Sequence, residues 1–257
     1  MRRTESCWRR LSRRREFGGR FVSRTAMGLR QCFTGHGRTS MLILYSLPFS
    51  NYSAKVAIAL NVKGIDHEKR PPPGGYSSPE YMSIVPSGTV PGMDDDGVIL
   101  SESDVINEYL EEKWPNPPLL HGDAELRGKQ RYLSRFHDFM VEPNLRALFP
   151  HLVPAQRGSA FVNDKLDSFN HQVGRLENFI DPKPYLLTEE FGFADCAYPA
   201  TFLLADLMFD VFGRKPEFGA KISRWREHVD VHPAVAPVLE ISEATTREWL
   251  DGVTGGS

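Results

Sequence analysis

The stretch MLILYSLPFSNYSAKVAIAL, Met41 to Leu60, holds the question on which the fold turns. Met41–Tyr45 is a short, continuously apolar run of the kind that forms a buried strand. From Ser53 onward Val56, Ile58, Ala59 and Leu60 recur at helical spacing, and Gly64 stands where a helix would end. Between Leu47 and Ser53 lie a proline, two serines and an asparagine, more polar residues than a plain turn needs. Either the serines cap a helix, or one hydroxyl is aimed at a ligand.

Downstream the alternation continues. Asp66–Pro73 (DHEKRPPP) reads as a weak strand entering a proline-rich loop, and Ser78–Pro86 (SPEYMSIVP) as a short helical turn. Thr89–Leu100 (TVPGMDDDGVIL) reads as a hairpin turning at DDDG. Ser101–Pro115 (SESDVINEYLEEKWP) reads as a helix with Val105, Ile106, Tyr109 and Leu110 on its apolar stripe and Pro115 as its stop. Beyond Pro115, Pro117 and Pro118 the strand-like runs vanish. One long helix or two cover Asp123 to about Phe149, and another covers Asn163–Phe179, with Phe169, Val173, Leu176 and Phe179 on one face. Phe193–Phe212 is apolar nearly all round, as a helix at the centre of a bundle should be; Ile222–His232 and Ala234–Leu250 supply two more. The expected architecture is α/β plus all-α: a βαβαββα segment over 41–114, a linker over 115–122 and a helical bundle over 123–257.

Charge divides the chain differently. Residues 1–40 hold eleven arginines and two glutamates, a balance of +9, while the remainder holds 20 basic and 31 acidic side chains, a balance of −11. An acidic body argues against a phosphate-tracking nucleic-acid surface. Three cysteines, Cys7, Cys32 and Cys196, have neither CxxC nor Cys/His metal spacing, so no disulfide framework or metal site is expected. The odd count reads as a reducing compartment, and no run of about 18 apolar residues is present to cross a bilayer; the expectation is a soluble cytoplasmic protein. The basic tail has the Arg- and Ser-rich composition of an organellar import sequence. The preferred reading is a disordered extension or sequence upstream of a later start at Met27 or Met41, ahead of an import sequence.

Three local motifs, in order, resemble the glutathione S-transferase superfamily, which joins a thioredoxin-like domain to a helical one. The first is Ser87–Met93 (SGTVPGM), similar to the segment in which a residue before a cis-proline pairs its backbone with the cysteine of glutathione. The resemblance assigns that role to Val90, with Pro91 cis. Thr89 stands where the family usually has lysine or glutamine, so one contact to the glycine carboxylate must be missing or supplied elsewhere. The second is Glu102-Ser103, similar to the family's Glu-Ser at a helix start. There Glu102 would take the substrate's amino group, and Ser103 would cap a helix whose N-terminus suits the γ-glutamyl carboxylate. The third is the opening turn, where Ser50 stands six residues ahead of Val56, as the activating serine does in serine-type members. Ser53 and Tyr45 are competitors for that role.

The resemblance implies glutathione as co-substrate, no metal, a small hydrophobic electrophile as second substrate, and a homodimer. Chemistry would be conjugation, with the thiolate stabilised by a hydroxyl donor. Tyr132, Phe136, Phe139 and Met140, near helical spacing, resemble the residues that line the family's electrophile pocket, with Tyr45 a further candidate; a core stripe is the other reading. Two alternatives stand beside conjugation: a glutathione-dependent isomerase or dehalogenase, and a non-catalytic binding module. The segment FSNYSAK lacks the serine-cysteine signature of the maleylacetoacetate isomerase branch, and Gly192 occupies the Ser/Thr position of the family's buried capping box ahead of Asp195.

Overall fold

The computed structural model describes residues 41–255. The basic segment 1–40, with Cys7 and Cys32, lies outside the described residues. All the described elements belong to one compact unit.

Four strands form one sheet in the order β2-β1-β3-β4: β1 (Leu42–Tyr45), β2 (His67–Arg70), β3 (Gly92–Asp95) and β4 (Val98–Ser101). β1 and β2 are parallel, joined through α1 (Asn51–Lys63), whereas β3 runs antiparallel to β1 and turns directly into β4. Strand alternation divides β1 between two cores. Leu42 and Leu44 point into the main core with Met93, Ile106 and Leu110, while Ile43 and Tyr45 meet Tyr81 and Val85 on the other face. Helices α2 (Pro79–Met82) and α3 (Ser103–Lys113) complete the βαβαββα order expected from the sequence.

The remaining elements are helical: α4 (Ala124–Phe136), a π turn over His137–Val141, α5 (Glu142–Arg146), α6 (Ala160–Leu176), α7 (Pro199–Val211), α8 (Ala220–Val229) and α9 (Ala236–Thr254). The run expected as one helix from Phe193 to Phe212 is a 3-10 turn, Phe193–Cys196, followed by α7. Pro199, lacking an N–H, fits the first turn of a helix and not its interior. Its apolar circumference is accounted for: Phe202, Ala205, Met208 and Phe209 are all fully buried.

α1 is covered on both sides, which explains why Val56, Ile58, Ala59 and Leu60 are all buried without a polar face. It packs on α3 on one side and on α7 and α9 on the other. Its last turn carries Lys63, whose ammonium meets Glu111 at 2.6 Å and the carbonyls of Trp114 and Pro117 at 2.8 and 3.0 Å. Glu111 also accepts from the Leu119 and Leu120 N–H groups, pinning the proline-rich linker to α3. Burial pushes the Glu111 carboxyl up, but Lys63 and the two N–H groups outweigh it and hold it below the usual range.

The turn before α7 departs from a reciprocal capping box. Asp195 accepts from the Gly192 N–H at 2.9 Å, but glycine has no side chain to return the bond. Asp195 instead takes the Leu186 N–H at 3.0 Å and the Trp225 indole N–H at 2.6 Å. A Cβ at Gly192 would stand 2.9 Å from Oε1 of Gln130, whose amide donates to the His121 carbonyl. The space a serine or threonine would use is therefore filled by Gln130. Cys196, next in sequence, is buried in the core, and burial pushes its thiol well above the usual range.

Candidate functional site

One cavity of about 660 Å³ opens between the β1–α1 turn, the loop before β3, the start of α3, and the stretch from α4 to Phe149. Its first wall is built mainly from backbone. The turn after β1 is closed by the Ser50 N–H donating to Leu47 at 2.9 Å. Ser50 then takes the N-cap position of α1 with extended backbone, and its Oγ accepts from the Ser53 N–H at 3.3 Å. The cap reading of the serine holds, and because it uses only a lone pair of the oxygen, the hydroxyl keeps its proton as a donor at the cavity wall. The unpaired N–H groups of the first turn add a positive end.

The Val90–Pro91 peptide is cis, and both residues line the cavity. The loop before them is held from behind by the Tyr81 hydroxyl, which donates to the Thr89 carbonyl at 2.8 Å. Burial pushes that phenol up to about 12. Gly92 must be glycine for the same packing, since a Cβ there would stand 2.5 Å from the Tyr81 oxygen and 2.7 Å from a Val85 methyl. Glu102 and Ser103 reach the cavity from the start of α3.

The cap of α3 is not the one expected. Glu102, not Ser103, occupies the N-cap, with φ 72° and ψ 118° and no side-chain capping bond. Ser103 is the first residue inside the helix. A non-glycine residue in that region of backbone space is strained by about 1–3 kcal/mol, a strain that concentrates at ligand sites. The neighbours over-determine it. Asp104 is held by the buried Lys55 ammonium at 2.6 Å and by the Ser134 hydroxyl at 2.8 Å.

The second wall is built from side chains on α4, the π turn and α5: Arg135, Asp138, Phe139 and Arg146, with Phe149 beyond. Asp138 bonds Lys55 at 3.0 Å and His137 Nδ1 at 2.8 Å, and His137 Nε2 lies 2.7 Å from the Thr201 hydroxyl. Burial pushes the Asp138 carboxyl up, but His137 and Lys55 outweigh it and hold it below the usual range. Arg135 lies over the Phe139 ring at 4.3 Å, and Arg146 over the Tyr52 ring at 5.3 Å. Tyr52 donates to Glu142 at 3.0 Å; burial, then the Glu142 and Asp138 charges, raise its phenol far above the ordinary value.

Of the residues singled out from sequence, Ser50, Val90, Pro91, Glu102, Ser103 and Phe139 line this one cavity. Ser53 does not; it is buried one turn further along α1. Tyr45 points to the opposite face of the sheet, 5.5 Å from the Tyr81 ring. Tyr132 and Phe136 face the turn after α6, packing edge-on to Phe179 at 5.6 and 5.4 Å. The expected aromatic stripe is split because the π turn begins straight after Phe136, and its wider i→i+5 winding carries Phe139 away from the Phe136 line. The sequence reading missed Tyr52, Arg135, Asp138 and Arg146. Arg135, Asp138, Glu142 and Arg146 do recur at helical spacing, but a mixed polar face gives no hydrophobic signal. Among the described residues no cluster of His, Cys, Asp and Glu could hold a metal ion.

The family model described as "Glutathione S-transferase, N-terminal domain" matches residues 44–118. The chain is 30% identical to a maleylacetoacetate isomerase of Pseudomonas aeruginosa over 190 residues, 64% of this chain and 89% of that protein. It is 29% identical to a stringent starvation protein A homolog of Pasteurella multocida over 178 residues, 68% of this chain and 81% of that one. A tau-class glutathione S-transferase from mango, Mangifera indica, superposes with a TM-score of 0.69 at 22% identity, covering 81% of this chain and 99% of its own.

Proposed function

The chain belongs to the glutathione S-transferase superfamily, and from that premise we propose that it is a glutathione transferase whose Ser50 hydroxyl stabilises the glutathione thiolate. In this reading residues 41–114 hold glutathione, 115–122 are the linker, and 123–257 bring a small hydrophobic electrophile to the sulfur. A cytoplasmic detoxifying homodimer follows from the resemblance. The observation that carries the proposal is the meeting of three features in one cavity: the Ser50 cap, the cis Val90–Pro91 peptide and the strained Glu102.

The chemistry follows from the residues. Val90 pairs its backbone with the cysteinyl residue of glutathione, and Glu102 takes the γ-glutamyl ammonium. The γ-glutamyl carboxylate lies at the α3 N-terminus by Ser103. The thiol then sits at the mouth of α1. A free thiol of pKa ~8.5 is about 3% ionised at pH 7, and lowering it by ~2 units, about 2.7 kcal/mol, makes most of it thiolate. A hydroxyl donor and a helix N-terminus are sources of that size. The thiol proton leaves to solvent, and the sulfur pair forms the new bond to the electrophile's carbon.

Turnover of glutathione with 1-chloro-2,4-dinitrobenzene tests this, sulfur replacing chloride. Ser50→Ala should lower kcat/KM by about 100-fold and leave glutathione affinity nearly unchanged. Equal turnover by the two proteins would sink the assignment of Ser50.

Two further readings have observations behind them. The departure from the family pattern at Thr89 favours a non-catalytic binding module, and failure of the protein to be retained on glutathione-agarose would bring it forward. The similarity to a maleylacetoacetate isomerase favours addition and elimination by the same thiolate. Product analysis with chlorinated and cis-unsaturated acids separates that reading from conjugation.

A further inference from the structure

We infer that the Asn51 carboxamide is a second hydrogen-bond donor to the glutathione sulfur, beside Ser50, an inference that rests on the transferase reading and adds a residue to its machinery. Asn51 follows the Ser50 cap as the first residue inside α1 and lines the same cavity.

Three polar side chains of this turn line the cavity: Ser50, Asn51 and Tyr52. Tyr52 has no proton to offer a ligand, because its hydroxyl donates to Glu142 at 3.0 Å and to the Asp138 carbonyl at 3.3 Å. Ser50 accepts from the Ser53 N–H and keeps one proton. Asn51 is only 4% exposed, yet its carboxamide makes no hydrogen bond among the described residues, although the side chains on either side of it do. A carboxamide carries two N–H donors and a carbonyl acceptor, and buried polar groups are nearly always satisfied. Nor is this amide sealed in, as the unpartnered amide of Asn107 in the core is. The small open surface of Asn51 therefore includes its amide, and the main cavity is the open space that Asn51 lines.

Helix formation does not ask for asparagine at this position. Ser50 already supplies the cap, and the first turn favours proline or an acidic residue. The first turn of α1 holds no acidic side chain. A carboxylate there would support the helix and repel a thiolate, whereas a carboxamide of the same shape is neutral and donates. A hydrogen bond to an anion is about twice as strong as one to a neutral acceptor. Donation by Asn51 therefore strengthens as the thiol gives its proton to solvent, and the sulfur gains more from it than the neutral peptide groups of glutathione would.

Ultraviolet titration of bound glutathione tests this with Asn51→Ala and Asn51→Asp in the full-length protein, melting curves confirming that both variants fold. In Asn51→Ala the bound thiol should ionise about one unit higher than in the wild type, a tenfold change in its ionisation constant. Asn51→Asp should ionise higher still, because it adds a like charge. S-methylglutathione, which has no thiol proton, should bind Asn51→Ala as it binds the wild type, to within about twofold by calorimetry. Turnover of 1-chloro-2,4-dinitrobenzene by Asn51→Ala should fall about tenfold near pH 6.5 and recover as pH passes the raised ionisation, a recovery that a merely structural defect would not show. A bound thiol that titrates in Asn51→Ala as in the wild type, an Asp variant no higher than the Ala variant, or a loss of S-methylglutathione affinity of about tenfold or more would each overturn the inference and leave Ser50 in place. A wild-type thiol that titrates like free glutathione would instead remove the transferase reading, and this inference with it.

Discussion

The two walls of the main cavity are made of different material. The first wall consists of backbone features: a helix N-cap at Ser50, a cis peptide at Pro91 and a strained φ at Glu102. The second consists of side chains, Arg135, Phe139, Arg146 and Phe149, presented by a helical stretch that changes its winding midway. Backbone geometry allows few substitutions and so fixes one ligand. Exposed side chains exchange freely and so suit a variable one. Under the proposed function, the first wall would take the constant co-substrate and the second a changeable electrophile.

Breaking the first wall should have the largest effect. Gly92→Val would drive two methyls into Tyr81 and Val85, costing about 1–3 kcal/mol by overpacking and displacing Val90. Retention on glutathione-agarose should be lost and Tm lowered by several degrees; retention at wild-type level would show that the backbone there is not what holds the ligand. Glu102→Gln should come next. Removing one charged hydrogen bond, about 1.5–3 kcal/mol, weakens glutathione about 10- to 100-fold by calorimetry, with the melting temperature unchanged because Glu102 is exposed.

The second wall should answer differently. Phe139 is 63% exposed, so Phe139→Ala should leave stability and glutathione affinity alone and raise the electrophile's KM about tenfold. A comparable loss of glutathione affinity would erase the distinction between the walls. The smallest effect is expected far from both, at Asp195. Burial raises its carboxyl to about 6, against 3.8 as the ordinary value. The folded state therefore holds the proton more tightly than the unfolded one, so the contribution of this group grows as pH falls from above 6 toward 4. Asp195→Asn removes that dependence. Its destabilisation in urea melts should be larger at pH 5 than at pH 7.5, by on the order of 1 kcal/mol, with neither substrate affinity changed.

The same contrast explains what could be read in the sequence. Local signals held the order of strands and helices along the chain, the hairpin, the Ser50 cap and the X-Pro before β3, because each is written within a few neighbouring residues. Local rules failed at Glu102-Ser103, where a cap would normally be serine. Strain at Glu102 is supported from a distance by Lys55, Asp104 and Ser134, which no window around residue 102 contains. The pocket reading of Tyr132 and Phe136 gave way to the core-stripe one, with Phe136 buried and both packed on Phe179, because the π turn after Phe136 leaves no periodic mark. Gly192 is no defect in a capping box, because Gln130, 62 positions away in sequence, occupies the space a side chain there would need.

The central claim is that the turn from Leu47 to Ser53 aims a hydroxyl at a thiol, and an ultraviolet titration of protein-bound glutathione tests it most directly. Thiolate absorbance is followed against pH for the wild type and for Ser50→Ala. The account predicts that the bound thiol ionises below pH 7 in the wild type, against ~8.5 free, and at least about one unit higher in the variant. A bound thiol that titrates like free glutathione in both proteins, or glutathione that does not bind at all, would contradict it and leave Ser50 a helix cap alone.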